Sequence, residues 1–533
     1  MLARALSFIL TGVEASVCEV EVDVEELGLD RQHIVGLPDS AVRESIERVR
    51  SAMQNSGYVF SDGKTVINLA PAEERKEGPV YDLPIAVALL CASGVIRSRA
   101  GVGVGAGKSS QMRNGDSRDV DVRACVFAGE LALDGRVRPV RGAIALAAMA
   151  KERGIRWVVV PEENAEEAAL VKGVDVIGVR TLTEVVGVLN GALEARAREG
   201  MDLGRLAQEV EAEIDFAEVR GQEGVKRALT VAAAGGHNVL MIGPPGTGKT
   251  MMAKALAGVM PALSAEEALE VARVYSAAGA TVRAGGWGKG GIVARRPVRS
   301  PHHTVSVPAM AGGGTDPRPG EVSLAHRGVL FLDELPEFPR AVLETLRQPM
   351  EDRCVTVSRA SGKAKFPADF MLVAAMNPTP KGTAVREGDG AGRREMEKYL
   401  AKVSGPVIDR IDIHVEAPSV AWKELTAGEQ GARGTSTREI RERVRVAREL
   451  QRVRQGETTN ARLRGKELDR YAEMGESAKG LLGQAIEELG LSARAYDKIR
   501  RVARTIADLA GEERVSEGHV AEAVGYRLLD RRV

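Results

Sequence analysis

Gly243-Pro244-Pro245-Gly246-Thr247-Gly248-Lys249-Thr250 stands between an apolar run, Val239 to Ile242, and a helix-forming segment, Met251 to Leu256. Strand, glycine loop and helix in that order make a phosphate cradle. The glycines let successive backbone N–H groups turn toward phosphate oxygens, Lys249 is placed for the β- and γ-phosphates, and the Thr250 hydroxyl for Mg²⁺. Downstream, Val329-Leu330-Phe331-Leu332 reads as a fully buried strand ending in Asp333-Glu334. Two adjacent carboxylates buried at a strand end are unfavourable unless a cation or a task compensates. Mg²⁺ supplies the first and hydrolysis the second: Asp333 holds the metal's water while Glu334 orients and deprotonates the attacking one. These residues predict turnover of a nucleoside triphosphate, and not binding alone.

The strands and helices that carry these residues are a small part of a long chain. At 533 residues the protein exceeds what one hydrophobic core serves. Acidic and basic residues cancel at 74 each, so any hold on a polyanion must come from local patches. Aromatic residues make up only 3%, too few for a platform that stacks single-stranded bases. Cys18, Cys91, Cys125 and Cys354 are scattered without a CxxC pair, which speaks against zinc and disulfides and for reduced thiols. Residues 1–10 read as a strand and not as a targeting signal, and the apolar stretch Leu83 to Ile96, broken by Pro84 and Gly94, is too short to span a bilayer. A cytoplasmic protein without membrane contact is expected.

Patterning divides the chain. Residues 1–190 alternate strands, such as Val17 to Val24 and Trp157 to Val160, with helices, such as Ala41 to Gln54 and Ala143 to Glu152. Within them Arg97 to Arg123 lacks periodicity, and its glycine loop Gly101 to Ser109 fails as a phosphate cradle because Val102 replaces the needed glycine. A charged helical linker is expected over 191–213, the nucleotide-binding α/β core over 214–418 and a second linker over 419–437. Helices Arg438 to Gln455, Ala478 to Leu489, Ala493 to Leu509 and Ser516 to Leu529 then form a C-terminal helical lid over 438–533.

Beyond the phosphate loop, the stretches Arg299-Ser300-Pro301-His302-His303-Thr304, Pro317 to Gly328 and Ser404 to Asp412 carry a resemblance across nearly the whole chain to the AAA+ ATPases. The branch is the magnesium-chelatase-like one, and the resemblance is strongest to the YifB/ComM family. It implies a P-loop AAA+ α/β core with a parallel sheet, assembly into a homo-hexamer, and branch migration of branched or duplex DNA during natural transformation, with recombination proteins as further partners. It makes Asn377, after the strand Met371 to Met376, the sensor-1 residue, Arg410 an arginine finger offered across a subunit interface, and Arg494 the sensor-2 residue. A β-hairpin over Val355 to Phe366 is expected to point into the ring's pore, with Arg359, Lys363 and Lys365 near its tip gripping DNA phosphates. Relatives carry a cysteine-rich segment after the sensor-1 asparagine, whereas Pro378 to Thr383 has none and Lys381 to Arg394 reads as a polar loop. His302 and His303 read as local structure. An alternative within the branch is a chelatase-type ATPase that remodels a protein partner.

Residues 1–190 resemble the proteolytic domain of Lon-type proteases, with its ribosomal S5 domain 2-like α/β fold, around Lys76-Glu77-Gly78-Pro79-Val80-Tyr81-Asp82. Val80 stands at the position of the catalytic serine and Ile144 near that of the lysine. Neither side chain can attack or activate, so peptide hydrolysis by that route is not expected.

Overall fold

The computed structural model describes residues 1–25, 32–60, 63–97, 120–198, 200, 214–280, 296–314, 317–359, 362–380, 390–419, 435–527 and 529. The glycine loop at Gly101 to Ser109 and most of both expected linkers lie outside them.

The first unit is an eight-stranded mixed sheet. Strands β1 (Leu2–Thr11), β2 (Glu14–Glu25), β3 (Gln32–Val35) and β4 (Lys64–Ala70) form one half, and β5 (Cys125–Phe127), β6 (Trp157–Pro161), β7 (Asp175–Val179) and β8 (Ala197–Arg198) the other. Their spatial order is β8-β7-β6-β5-β1-β2-β4-β3. The alternation of β2, with Cys18, Val20 and Val22 buried, leaves one face of the sheet for a core. Helix α1 (Asp82–Ala92) is apolar on all sides and buried on nearly all of them. Helix α2 (Ala143–Glu152) covers the opposite face with Ile144 fully buried. The sheet reaches Ala197–Arg198, inside the expected helical linker, because that pair adds an antiparallel edge to β7.

The second unit is a five-stranded, all-parallel sheet. Strand β9 (Val239–Ile242) follows helix α3 (Glu223–Gly235) and leads into α4 (Lys249–Leu256), after which comes α5 (Ala265–Ala278). The remaining strands are β10 (Val298–Arg299), β11 (Val329–Leu332), β14 (Met371–Met376) and β15 (Ile413–Glu416), with the hairpin arms β12 (Cys354–Arg359) and β13 (Gly362–Pro367) set off between β11 and β14. Sheet order is β10-β11-β14-β9-β15. Both faces are covered, which is why these strands are apolar without alternation. Val239 and Met241 point into one core, and Leu240 and Ile242 into the other.

The C-terminal helices α6 (Thr437–Gln455) and α7 (Ala493–Ala510) lie on the first of these cores, where Ile440, Val444, Ile499 and Val502 meet Val225 and Leu229 of α3. Gln451 and Arg448 donate to the carbonyls of Ala234 and Ala233, tying α6 to the end of α3. The last expected helix is shorter, Glu517–Gly525, because Arg527 leaves it to hydrogen-bond the Ile411 carbonyl at 2.7 Å beside β15. The polar loop expected over Lys381 to Arg394 gives way at Gly390 to a helix reaching Leu400, whose Met396 and Tyr399 are buried in the second core.

Candidate active site

Parallel register brings the predicted residues together. Ile242 pairs with Met376, and Leu332 with Ala374, so the segments just beyond β9, β14 and β11 emerge side by side at the carboxyl edge of the sheet. Gly243 starts the loop there. A Cβ at Gly243 would meet the Ala417 carbonyl oxygen at 2.2 Å, and Gly248 has φ +82° at the entrance of α4, so both positions require glycine. Thr247 closes the turn by donating from Oγ1 to the Pro244 carbonyl at 3.0 Å.

Lys249 Nζ donates to the Gly243 and Pro244 carbonyls at 2.7 and 2.8 Å and to Asn377 Oδ1 at 3.3 Å. Burial holds its pKa below the ordinary lysine value, with Asp333 and Glu334 acting in the other direction. Thr250 Oγ1 donates to Asp333 Oδ2 at 2.8 Å. A hydroxyl beside a carboxylate at the start of a helix is a hard-oxygen pair that suits Mg²⁺ with several waters retained. The loop N–H groups and Lys249 suit a triphosphate.

The expectation of two buried carboxylates needs correction. The strand is buried, but Asp333 is only half-buried and Glu334 is exposed. Glu334 sits at φ +53°, a left-handed conformation unusual for a side chain of its size, with its N–H donated to Asp333 Oδ1 at 3.0 Å. That turn sends the two carboxylates different ways: Asp333 toward Thr250, and Glu334 toward His303, whose Nδ1 lies 3.6 Å from Glu334 Oε2. His303 stacks beside His302, with ring centres 4.0 Å apart, and meets Phe338 edge-on. Sequence reasoning left this histidine as local structure, and no residue spacing announces its approach to Glu334.

Arg410 and Arg494 are elsewhere. Asp412 N–H donates to the Asn238 carbonyl at 3.0 Å, so the segment around Arg410 meets β9 at its amino end. Four residues at about 3.3 Å each separate that end from the phosphate loop by roughly 13 Å. Arg410 donates to Glu351 and to the Pro406 carbonyl, and Arg494, in the first turn of α7, lies 3.8 Å from Asp409. The carboxylate beside Arg410 is Glu351, from the helix Arg347–Asp352.

Arg359 ends β12, and its side chain lies outside the described residues. Lys363 pairs with Ser358 next to the turn, while Lys365 pairs with Thr356 midway down the arm. Both are exposed, with Ala364 and Phe366 buried between and beyond them. The hairpin leans on the first unit: a Cβ on Gly12, in the β1–β2 turn, would come within 2.7 Å of the Lys365 carbonyl oxygen. Lys363 lines a cleft of about 610 Å³ together with Gly78, Pro79 and Val80. Ile144 does not line that cleft and is buried instead in the core beneath α2. Among the described residues no group of three or more His, Cys, Asp or Glu could hold a metal, and no helix is long and apolar enough to cross a membrane.

Comparison with known proteins matches this arrangement. The family model for magnesium chelatase subunit ChlI covers residues 215–425, that for its C-terminal part residues 434–527, and a further ChlI subunit model residues 20–164. Over 522 residues the chain is 40% identical to competence protein ComM of Haemophilus influenzae, covering 98% of this chain and 96% of the relative. It is 42% identical over 527 residues to YifB of Escherichia coli, with the same coverage. The magnesium-chelatase 38 kDa subunit of Rhodobacter capsulatus matches more distantly, at 26% over 181 residues, 31% of this chain and 50% of that one. The chain belongs to the YifB/ComM family of magnesium-chelatase-like AAA+ ATPases.

Proposed function

We propose that this protein is the ATP-hydrolysing subunit of a homo-hexameric ring that drives branch migration of DNA. The observation that carries the reading is the meeting of Lys249, Thr250, Asp333 and Asn377 at one sheet edge, with Glu334 turned outward beside them. Gly243 to Thr250 cradle the triphosphate, and Asn377 and Glu334 position the attacking water, which Glu334 deprotonates. Thr250 and Asp333 would hold Mg²⁺, which when bound would supply charge neutralisation at the phosphate oxygens.

In this reading Arg410 and Arg494 serve the next subunit, since they stand at the opposite pole of the sheet from their own Lys249. Hydrolysis at one interface then moves two subunits against each other, and the hairpin carrying Lys363 and Lys365 transmits that motion to DNA phosphates. The step from motor to DNA leans on the similarity to a competence protein. A second reading, remodelling of a protein partner, draws support from the seating of the hairpin against the first unit.

A synthetic four-way junction tests both. Purified protein with ATP and Mg²⁺ is expected to resolve the junction into duplexes and to hydrolyse ATP faster when the junction is present. Glu334→Gln is expected to bind nucleotide but hydrolyse roughly 10² to 10⁴ times more slowly and to leave the junction intact. Turnover by the unaltered protein that ignores every DNA form, with the junction untouched, would favour the protein-remodelling reading.

A further inference from the structure

The amino pole of the second sheet holds more positive charge than Arg410 and Arg494 supply. A cleft of about 390 Å³ opens there, lined by Arg353, Arg410, Arg464, Arg494, Lys498 and Arg501 on its basic side. Most of its carboxylates are engaged. Asp369 holds Arg327 at 3.1 Å and also Arg462, and Glu351 holds Arg410. Asp412 caps the Asn238 N–H at 3.0 Å and faces Lys498 at 3.7 Å, while Asp409 reaches Arg494. Asp352 and Asp497 complete the acidic lining. Among the described residues Arg464 and Arg501 hydrogen-bond only carbonyls, those of Glu351 and Leu463, and Arg353 forms no side-chain ion pair.

Arg353 is the most exceptional of these. It closes the helix Arg347–Asp352 at φ +58°, a left-handed position that favours glycine, so a long side chain is kept there against the backbone's preference. Burial, followed by the neighbouring guanidinium of Arg462, pulls its pKa down to about 10, with Asp369 acting in the other direction and Arg464 adding a weaker push downward. Crowded guanidinium groups with spare donors are the arrangement that a phosphate chain relieves, through charge-assisted and bidentate hydrogen bonds.

We infer that Arg353 is a third contact, beside Arg410 and Arg494, to the triphosphate bound in the P-loop of a neighbouring copy of this chain, and that this cleft receives that copy's carboxyl sheet edge. The inference rests on the ATPase reading above. It adds a residue from just ahead of the hairpin, so nucleotide state at the interface reaches β12 directly through Cys354.

The test uses Arg353→Gly, which relieves the left-handed backbone and keeps the Ala368 N–H to Arg353 carbonyl bond of 2.8 Å, so the fold is expected to melt no lower than the unaltered protein. Without DNA, its ATPase is expected to fall at least about tenfold while a fluorescent ATP analogue still binds its intact P-loop. Lys249→Ala is expected to be inactive alone. Mixing the two chains in equal amounts is expected to recover activity above the sum of their separate rates, up to roughly a quarter of the unaltered value. That is the share of interfaces in a randomly mixed ring that pair a sound P-loop with a sound arginine face. Unaltered turnover by Arg353→Gly would overturn the proposal, as would its keeping full ATPase while losing affinity for duplex DNA, which would assign the cleft to DNA phosphates. So would a mixture that shows no recovery while Arg410→Ala mixed with Lys249→Ala does recover, since Arg353 would then act within its own subunit. Absence of ATPase in the unaltered protein would instead sink the ATPase reading itself.

Discussion

At the scale of single residues, the site depends on side chains turned apart by backbone geometry. Asp333 and Glu334 are adjacent, yet the left-handed turn at Glu334 gives one to Thr250 and the other to the side where His303 stands. A second carboxylate works by pairing. Glu270, on α5, accepts hydrogen bonds from His326 at 3.1 Å and Arg327 at 2.7 Å, and the His326 bond, followed by the Arg327 contact working against burial, lowers its pKa from 4.5 to about 2. The depressed value means that its contribution to stability is complete above the ordinary carboxylate range and is lost as pH falls through about 4.5 toward about 2. Melting temperatures of the unaltered protein and Glu270→Gln should therefore differ at pH 6 and converge as the pH is lowered across that window. A gap that stays constant with pH would remove Glu270 from the acid response.

At the scale of elements, the hairpin is the piece whose surroundings decide its role. Its two lysines are exposed, but the backbone between them rests on the β1–β2 turn, where Gly12 has φ +69° and no room for a side chain. Gly12→Val is expected to lift the hairpin from the first unit, seen as faster hydrogen exchange of residues 354–359 and 362–367. Lys363→Ala with Lys365→Ala should leave basal ATPase within about twofold and weaken duplex DNA binding, with a flatter dependence on salt by roughly two released counterions. Affinity and salt slope equal to those of the unaltered protein would take the lysines out of the DNA reading and strengthen the reading in which the ring remodels a protein partner.

At the scale of the whole molecule, α5 joins the two units. Its Val271 and Ala272 are buried with Ile144, Leu146 and Val158 of the first unit, and the Gly142 N–H donates to the Ser276 carbonyl at 3.1 Å. Its polar side is held to the second unit by Arg296 on Glu267 at 2.8 Å and by Tyr275 on the Leu324 carbonyl at 3.0 Å. A helix held on both sides should couple their unfolding. Ala272→Asp, which puts an unpaired charge into the shared core, should split the single calorimetric transition expected of the intact chain into two. One transition in the variant would show that the units unfold together by another route.

The glycine loop at Gly243 to Thr250, the strand leading to Asp333 and the strand leading to Asn377 were legible in the residues, because each is a local pattern of apolar run and polar terminus that sheet formation does not alter. Helix α2 and most of α6 and α7 were equally plain from their spacing. The outward turn of Glu334 was not, since a left-handed backbone at a residue of that size has no local signature, and the approach of His303 and the gathering of Arg353 with Arg410 and Arg494 were not, since each joins segments brought together only by strand order and packing. The extent of the last helix also escaped, because Arg527 is drawn off to a carbonyl more than a hundred residues earlier. Sequence alone determined which residues could hold a triphosphate, for their chemistry and neighbours in the chain suffice. Which pole of the sheet each arginine occupies was decided only by tertiary structure, because in a parallel sheet a residue's end of the strand, and not its distance along the chain, sets what it can reach.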